Sequence, residues 1–128
     1  MENRFHNKCF GCGKDSLRGL KLKFSFHDNA IIGEFKIPAD YQGYDDIVHG
    51  GIITTVLDCS MVNLFLKRDG VSVKTAKLNV SFRRSLPVNE TFVVTAVADD
   101  SARHFYKARA QIKSGDIVFA EAEGYFRK

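Results

Sequence analysis

The chain has 128 residues, of which 45% are hydrophobic and 27% charged, and this favours one globular domain over residues 1–128. The net charge of +4 is mildly basic, but no basic cluster with interleaved aromatic residues occurs, so we expect no nucleic-acid partner. No run reaches the roughly 18 apolar residues of a membrane span, and residues 1–6 lack the apolar segment of a signal peptide. Three cysteines, an odd number, favour free thiols, and we expect a cytoplasmic protein without membrane contact.

The first regular elements are predicted to form a β-hairpin. Residues 1–19 are polar and contain several glycines, which indicates an irregular lead-in. Apolar and polar residues alternate strictly over residues 20–27, as in a half-buried strand. Asp28-Asn29 marks a turn. Residues 30–37 are predicted to return as the second strand, which ends at Pro38.

A long loop and a long helix come next. Residues 38–50 form a loop that contains Gly43, and loops of this length in compact domains are often functional. A helix is predicted over residues 50–68, ended by Asp69-Gly70. Its core face has the i, i+3, i+4 spacing of an amphipathic helix and consists of Ile53, Val56, Leu57, Ser60, Met61, Leu64 and Phe65.

The remainder of the chain is predicted to be strands. Alternating or β-rich runs cover residues 76–83, 91–98, 106–113 and 118–127, and turn-forming residues separate them. The element order is therefore ββαββββ, an α+β fold with one long helix. The simplest packing wraps a curved, mostly antiparallel sheet around that helix.

The junction between the loop and the helix contains the candidate catalytic residues. His49, Gly50 and Gly51 stand where the helix begins, and Asp58 lies inside its apolar run. Burying a carboxylate in apolar surroundings costs free energy, so such a residue is expected to have hydrogen-bonding or charged partners or a functional role. Free backbone N–H groups at a helix start attract negative charge. Together these features favour acyl-transfer or hydrolytic chemistry.

Four motifs in order carry a resemblance to a known family. They are Cys9-Phe-Gly-Cys-Gly13 with Arg18-Gly-Leu20, Val48-His-Gly-Gly51 followed by Leu57-Asp58, the strand segment 78–83, and the segment 117–124. The chain resembles, over nearly its whole length, the hotdog-fold acyl-CoA thioesterases of the phenylacetate-pathway (PaaI-like) type. The resemblance implies a homodimer, often paired again into a homotetramer, with active sites at the subunit interface.

The resemblance also implies roles for individual residues. Asp58 matches the catalytic carboxylate, and Gly50 matches the residue whose backbone N–H binds the thioester carbonyl. Thr75 matches a Ser or Thr hydroxyl near the water or the carboxylate, and His49 a residue that shapes the helix start. Many members carry Asn at the position of Gly43. Here Gln42 stands beside that position and offers an amide instead.

The implied activity is hydrolysis of an acyl-CoA or acyl-carrier thioester to a free acid and a thiol. Asp58 would act as general base or as nucleophile, and the sequence leaves both open. The N–H groups of Gly50 and Gly51 would hold the oxyanion. We expect no cofactor, because coenzyme A is part of the substrate. Two alternatives are a non-catalytic acyl-thioester-binding module and a hotdog hydratase or dehydratase.

Further residues are candidates for substrate contacts. Positively charged side chains suit the phosphates of coenzyme A, and the candidates are Arg83, Arg84, Arg103 and Lys107. Met61 and Val62, one turn beyond Asp58, are expected to line the acyl pocket. Tyr41 and Tyr44 are expected near its entrance.

Cys9-x-x-Cys12, with His6 nearby, raises the question of a metal. Zinc requires four ligands, and no second Cys or His pair follows at finger spacing. Cys59, one residue beyond Asp58, is expected to point elsewhere on the helix. We therefore predict no metal site, and packing of the lead-in near the substrate entrance as the role of these cysteines.

Overall fold

A computed structural model describes residues 6–101 and 104–128. One helix lies against one face of a six-stranded antiparallel sheet with the strand order β1-β2-β4-β5-β6-β3. The elements are β1 (Ser25–His27), β2 (Ala30–Lys36), a 3-10 turn (Ala39–Tyr41), α1 (Gly50–Asp69), β3 (Lys74–Phe82), β4 (Thr91–Asp99), β5 (Tyr106–Ser114) and β6 (Ile117–Arg127). The predicted fold class and element order are confirmed.

The core lies between the helix and the inner face of the sheet. Every residue of the predicted helix face is buried, and Val56, Leu57 and Leu64 have no exposed surface. Alternate residues of the central strands meet them from the sheet, with Val94 and Ile112 fully covered. Gly70 ends α1 in the left-handed conformation at φ 68°, which glycine adopts without steric cost.

The helix is long and apolar enough to cross a membrane by length and composition alone. Core helices of folded domains meet the same criterion. Most of this apolar stretch is buried inside the fold, so the apolar residues of α1 are accounted for by the core.

The first strand is shorter than its sequence pattern predicts. The prediction of a strand over residues 20–27 is wrong for its first five residues, because β1 covers only Ser25–His27. Lys21 adopts a positive φ of 53°, which breaks the extended chain. The Leu22 N–H donates to the Gly11 carbonyl at 2.9 Å. The alternating residues thus pack the lead-in against the core instead of joining the sheet.

The hairpin turn agrees with the sequence-based prediction, and the structure shows how the last strands pair. Asp28 and Asn29 have φ values of 52° and 61°, the two positive angles of a type I′ turn. β3 pairs only with β6 and forms one edge of the sheet. Phe82 at its end is 53% exposed, although it is one of the apolar residues of the alternating run over residues 76–83.

Candidate active site

The start of α1 is built by His49. Its Nδ1 accepts a hydrogen bond from the Gly51 N–H at 2.9 Å, and its backbone N–H donates to the Tyr41 carbonyl at 3.0 Å. His49 is thus the N-cap of the helix, the structural role that the resemblance implies. The Gly51 N–H is already engaged, which leaves the predicted oxyanion role to Gly50. Within residues 6–101 and 104–128, no acceptor contacts the exposed Gly50 N–H.

The capping role of His49 predicts a loss of stability on truncation. His49→Ala should lower the free energy of unfolding by about 0.5–2 kcal/mol, the usual cost of removing an N-cap acceptor. Urea titration followed by circular dichroism measures this change. His49→Asn, which restores a capping oxygen, should recover most of the loss. Equal stability of the alanine variant and the wild type would contradict the capping role.

Asp58 lies eight residues along the helix and is half-buried. The Thr75 hydroxyl, on β3, donates to its Oδ1 at 2.7 Å. Burial raises the pKa of Asp58, while the hydrogen bond from Thr75 and the nearby His6 act in the opposite direction. The structure therefore brings together the two side chains that the sequence proposed as partners, and it holds the carboxylate with one oxygen engaged.

The lead-in wraps over α1 beside Asp58. Gly11 lies against the helix so closely that a Cβ there would stand 2.2 Å from the Cys59 Sγ. The neighbouring Cys59 thiol and the hydrogen bond between the Cys12 Sγ and the His6 Nδ1 lower the pKa of the Cys12 thiol. From the helix alone we expected Cys59 to point away from His6, Cys9 and Cys12. It does not, because the lead-in packs on the helix face that Cys59 occupies. The sequence already groups His6, Cys9 and Cys12 by their short spacing, but nothing in it indicates that Cys59 lies beside them.

The loop before α1 is closed by its own residues. The Gln42 Oε1 accepts from the Asp46 N–H at 2.9 Å, so the side-chain oxygen of Gln42 holds the loop. A Cβ on Gly43 would lie 3.4 Å from the His49 Cα, which places Gly43 directly against the helix start. Tyr41 contacts the lead-in through its hydroxyl, which donates to the Arg18 carbonyl. Tyr44 is 86% exposed.

Met61 and Val62 are buried in the single chain. Met61 has no exposed surface, and a Cβ on Gly124 of β6 would lie 3.1 Å from its terminal methyl. Val62 is 6% exposed. Met61 therefore packs between α1 and the sheet in this structure, and a wall of an acyl pocket is not visible at these two side chains.

The positively charged candidates lie in different places. Arg83 pairs with Glu121, whereas Arg84 is exposed at the end of β3. Lys107 contacts Asp99 at 3.5 Å. It lies on the face of the sheet opposite α1, because its neighbour Ala108 faces the core. Within one chain Lys107 therefore lies on the other side of the sheet from Asp58, and its role as a phosphate contact stays a prediction. The candidate Arg103 lies outside the described residues.

Gly50 and Asp58 of one chain are too far apart to act on the same thioester group. Eight residues separate them, or about 12 Å along the helix axis. A thioester carbonyl and the water that attacks it span only a few ångströms. Phe82 lies beside Gly50, 3.7 Å from the position of a Cβ there, while Thr75 contacts Asp58. β3 therefore runs antiparallel to α1, with its Phe82 end beside Gly50 and its Thr75 end beside Asp58. We call the surroundings of Gly50 and of Asp58 the two half-sites.

Several known proteins are similar to this chain in sequence or in fold. No family model matches the chain. The sequence is 27% identical over 89 residues to the acyl-coenzyme A thioesterase THEM4 of Bos taurus, a match that covers 68% of this chain and 36% of that protein. A solved thioesterase superfamily protein superposes with a TM-score of 0.85 at 21% identity, over 95% of this chain and 61% of that one. The E. coli PaaI protein of the phenylacetic acid degradation operon superposes with a TM-score of 0.79 at 13% identity, over 98% of this chain and 92% of that one. The chain has the hotdog fold.

The resemblance to PaaI-like thioesterases is confirmed over nearly the whole chain as a likeness of hotdog fold. The chain spans little more than a third of the length of the curated relative that it matches, since 36% of that protein is covered. In hotdog terms, α1 is the central helix and carries both Gly50 and Asp58. The roles of these residues stay predictions, and their geometry supports the function proposed next.

Proposed function

We propose that the protein is an acyl-CoA thioesterase that hydrolyses an acyl thioester to a free acid and a thiol. The observation that carries the proposal is Asp58, half-buried and fixed by the Thr75 hydroxyl at 2.7 Å. It lies on the same helix as Gly50, whose N–H has no acceptor among the residues that the structure describes. The likeness to an acyl-coenzyme A thioesterase over 68% of this chain supports coenzyme A as the thiol carrier. An acyl carrier protein is the second option.

In the proposed reaction, Asp58 takes a proton from a water molecule as the water oxygen attacks the thioester carbonyl carbon. The carbonyl oxygen becomes an oxyanion, which accepts a hydrogen bond from the Gly50 N–H. The C–S bond then breaks, and the proton held by Asp58 passes to the leaving thiolate. Direct attack by the carboxylate, through a mixed anhydride that water then hydrolyses, gives the same products.

A homodimer is part of the proposal, because the two half-sites lie about 12 Å apart in one chain. β3 is a nine-residue edge strand whose outer backbone groups have no neighbour in the sheet. Antiparallel pairing of two β3 strands centred near Leu78 would bring the Phe82 end of one strand beside the Thr75 end of the other. Gly50 of one chain would then meet Asp58 of the partner subunit. Further pairing of dimers gives a tetramer.

Mixed dimers test this shared site. Chains carrying Asp58→Asn and chains carrying Gly50→Pro are each expected to be nearly inactive. If each site combines Gly50 of one chain with Asp58 of the other, a mixed dimer has one intact site. Random mixing should then restore about a quarter of wild-type activity, since half of the dimers are mixed and each has one of two sites. No recovery, in mixtures shown to exchange subunits, would contradict the shared site.

Thr75 is proposed to position Asp58. Thr75→Val should lower kcat about 10- to 100-fold, the range expected for a hydrogen bond of about 1.5–3 kcal/mol to a charged group. KM should change little, because the hydroxyl holds the carboxylate and not the acyl chain. Thr75→Ser keeps the donor and serves as the matched control. Equal kcat values for the valine and serine variants would remove Thr75 from the mechanism.

The direct experiment is a thiol-release assay on aryl-, short-, medium- and long-chain acyl-CoAs. Stoichiometric release of acid and coenzyme A supports the proposed activity. Acyl-CoA binding without turnover would favour a non-catalytic binding module, and water addition to an enoyl thioester would favour a hydratase. Arg84, exposed near the Gly50 end of β3, is the phosphate contact we favour. We propose a cytoplasmic location, since free cysteines are typical of reducing compartments.

A further inference from the structure

A cluster of metal-binding side chains lies where the lead-in crosses α1. The His6 imidazole and the thiols of Cys9 and Cys12 place one ligand atom each within 4.8 Å of one another. The His6 Nδ1 and the Cys12 Sγ are 3.6 Å apart. All three side chains are half-buried. The proposed hydrolysis of a thioester uses none of them.

The backbone of the lead-in is shaped to present these side chains. The Cys9 N–H donates to the His6 carbonyl at 3.1 Å, and the Gly13 N–H donates to the Cys9 carbonyl at 2.8 Å. The resulting tight turn requires glycine, because a Cβ on Gly13 would lie 2.4 Å from the Cys9 backbone nitrogen. The turn therefore holds Cys9 and Cys12 on the same side of the chain, as a Cys-x-x-Cys metal site requires.

The helix offers a candidate fourth ligand beside this group. Cys59 is 7% exposed, and its Sγ would stand 2.2 Å from a Cβ on Gly11. The absence of a side chain at Gly11 lets the lead-in approach Cys59 this closely. Cys59 is also close enough to Cys12 to lower the pKa of the Cys12 thiol. The Cys59 thiol lies beside, but outside, the group of three ligand atoms that stand within 4.8 Å of one another, so it would join the group on metal binding.

The spacing of these atoms suits a tetrahedral ion. Zinc binds sulfur at about 2.3 Å and imidazole nitrogen at about 2.0–2.1 Å, so neighbouring ligand atoms in a tetrahedron lie about 3.5–3.8 Å apart. The 3.6 Å between His6 Nδ1 and Cys12 Sγ falls in this range. Thiolate ligands select soft ions, zinc among them, over magnesium or calcium.

We propose that His6, Cys9, Cys12 and Cys59 bind one Zn²⁺ ion as a closed, structural site that fastens the lead-in to α1. The three thiols release their protons to solvent on binding, and the imidazole coordinates in its neutral form. All four coordination positions are taken by the protein, so no position is open for water or substrate. The proposal differs from the sequence-based prediction of no metal, because folding brings Cys59 close to a Cys-x-x-Cys and His group that lacked a fourth ligand in the sequence.

The function of this ion follows from its place. Cys59 is the residue after Asp58, and the lead-in covers that side of the carboxylate. An ion that crosslinks His6, Cys9 and Cys12 to the helix would hold the wall of the proposed catalytic site. The metal site does not depend on thioesterase activity, and the ion content of the protein tests it directly.

The first test is metal analysis of the full chain purified without chelator and after dialysis against zinc. We expect about one zinc ion per chain, as a single four-ligand site requires. Replacement by Co²⁺ should give the intense visible bands of tetrahedral coordination and thiolate-to-cobalt charge transfer. Absence of both bound zinc and these bands in the folded protein would overturn the proposal, and the cluster would then be hydrogen-bonded thiols only.

Variants assign the individual ligands. Cys12→Ser and His6→Asn should lose the ion or bind it at least tenfold more weakly. The matched control His27→Asn alters an exposed histidine on β1, whose side chain is 75% exposed, and should retain it. Cys59→Ala keeps an apolar side chain in the core and should also weaken binding and change the cobalt spectrum. An unchanged cobalt spectrum in Cys59→Ala would overturn the four-ligand site.

A second measurement guards against variants that fail to fold. Zinc added to chelator-treated wild type should raise the melting temperature, because the ion binds the folded state, and should slow proteolysis of the lead-in. Neither change should occur in Cys9→Ser. Equal melting temperatures of the wild type with and without saturating zinc would contradict a site that fastens the lead-in.

Discussion

Asp58→Asn should lower kcat for acyl-CoA hydrolysis by at least about 100-fold, the scale of general-base catalysis. Asparagine keeps the size of the side chain and can still accept the hydrogen bond that Thr75 donates at 2.7 Å. It cannot take a proton from water or attack a carbonyl carbon. KM should change little, because the acyl chain and the nucleotide contact other residues. Thiol release under saturating substrate measures the effect.

Asp69→Asn is the matched control for this substitution. Asp69 is the last residue of the same helix and pairs with Arg68 at 2.9 Å, far from the Gly50 end. This variant should keep wild-type kcat. If Asp58→Asn turned over as fast as Asp69→Asn, the thioesterase assignment would stand but Asp58 would have no part in the mechanism.

Gly50→Pro should lower kcat by about 10²–10³-fold, the usual effect of losing one oxyanion donor. Gly50 is the first residue of α1, a position where proline is well tolerated because that N–H has no partner within the helix. The preceding residue, His49, already has φ −59° and ψ 136°, the extended conformation that proline demands of its predecessor. The substitution therefore removes one N–H group and leaves the helix intact.

Gly50→Ala separates the loss of the donor from the effect of added bulk. A Cβ at this position would lie 3.7 Å from the Phe82 ring, an ordinary contact distance, and the N–H is retained. We expect the alanine variant to keep most of the activity. Circular dichroism should show equal helix content in both variants. Equal kcat for Gly50→Pro and Gly50→Ala would mean that another group holds the oxyanion.

The helix and most strands could be predicted because local pattern and burial agree there. Ile53, Val56 and Leu57 repeat with the helical period and are all buried, so periodicity was sufficient. The length of the first strand was overestimated, because alternation indicates which side chains are buried but not which part of the chain buries them. Leu22 is 7% exposed, yet its backbone N–H donates to Gly11 of the lead-in and β1 begins only at Ser25.

Only part of the candidate site could be predicted from the sequence. Asp58 and Thr75 were identified through the resemblance, and the hydrogen bond between them agrees with it. The use of the Gly51 N–H by His49 depends on side-chain geometry that no spacing reveals. Cys59 was missed as a partner of Cys12 because 47 positions of chain separate them and only tertiary folding brings them into contact.

The two edges of the sheet differ in a way that limits assembly. β1 has three residues, whereas β3 at the opposite edge has nine. A sheet with two long bare edges can add chains one after another into a fibre. Pairing through β3 would use up the long edge of both chains and leave only short β1 strands at the ends of the joined sheet. Growth by strand addition would then stop at a pair, so the same asymmetry that offers a docking edge also protects the protein against polymerisation.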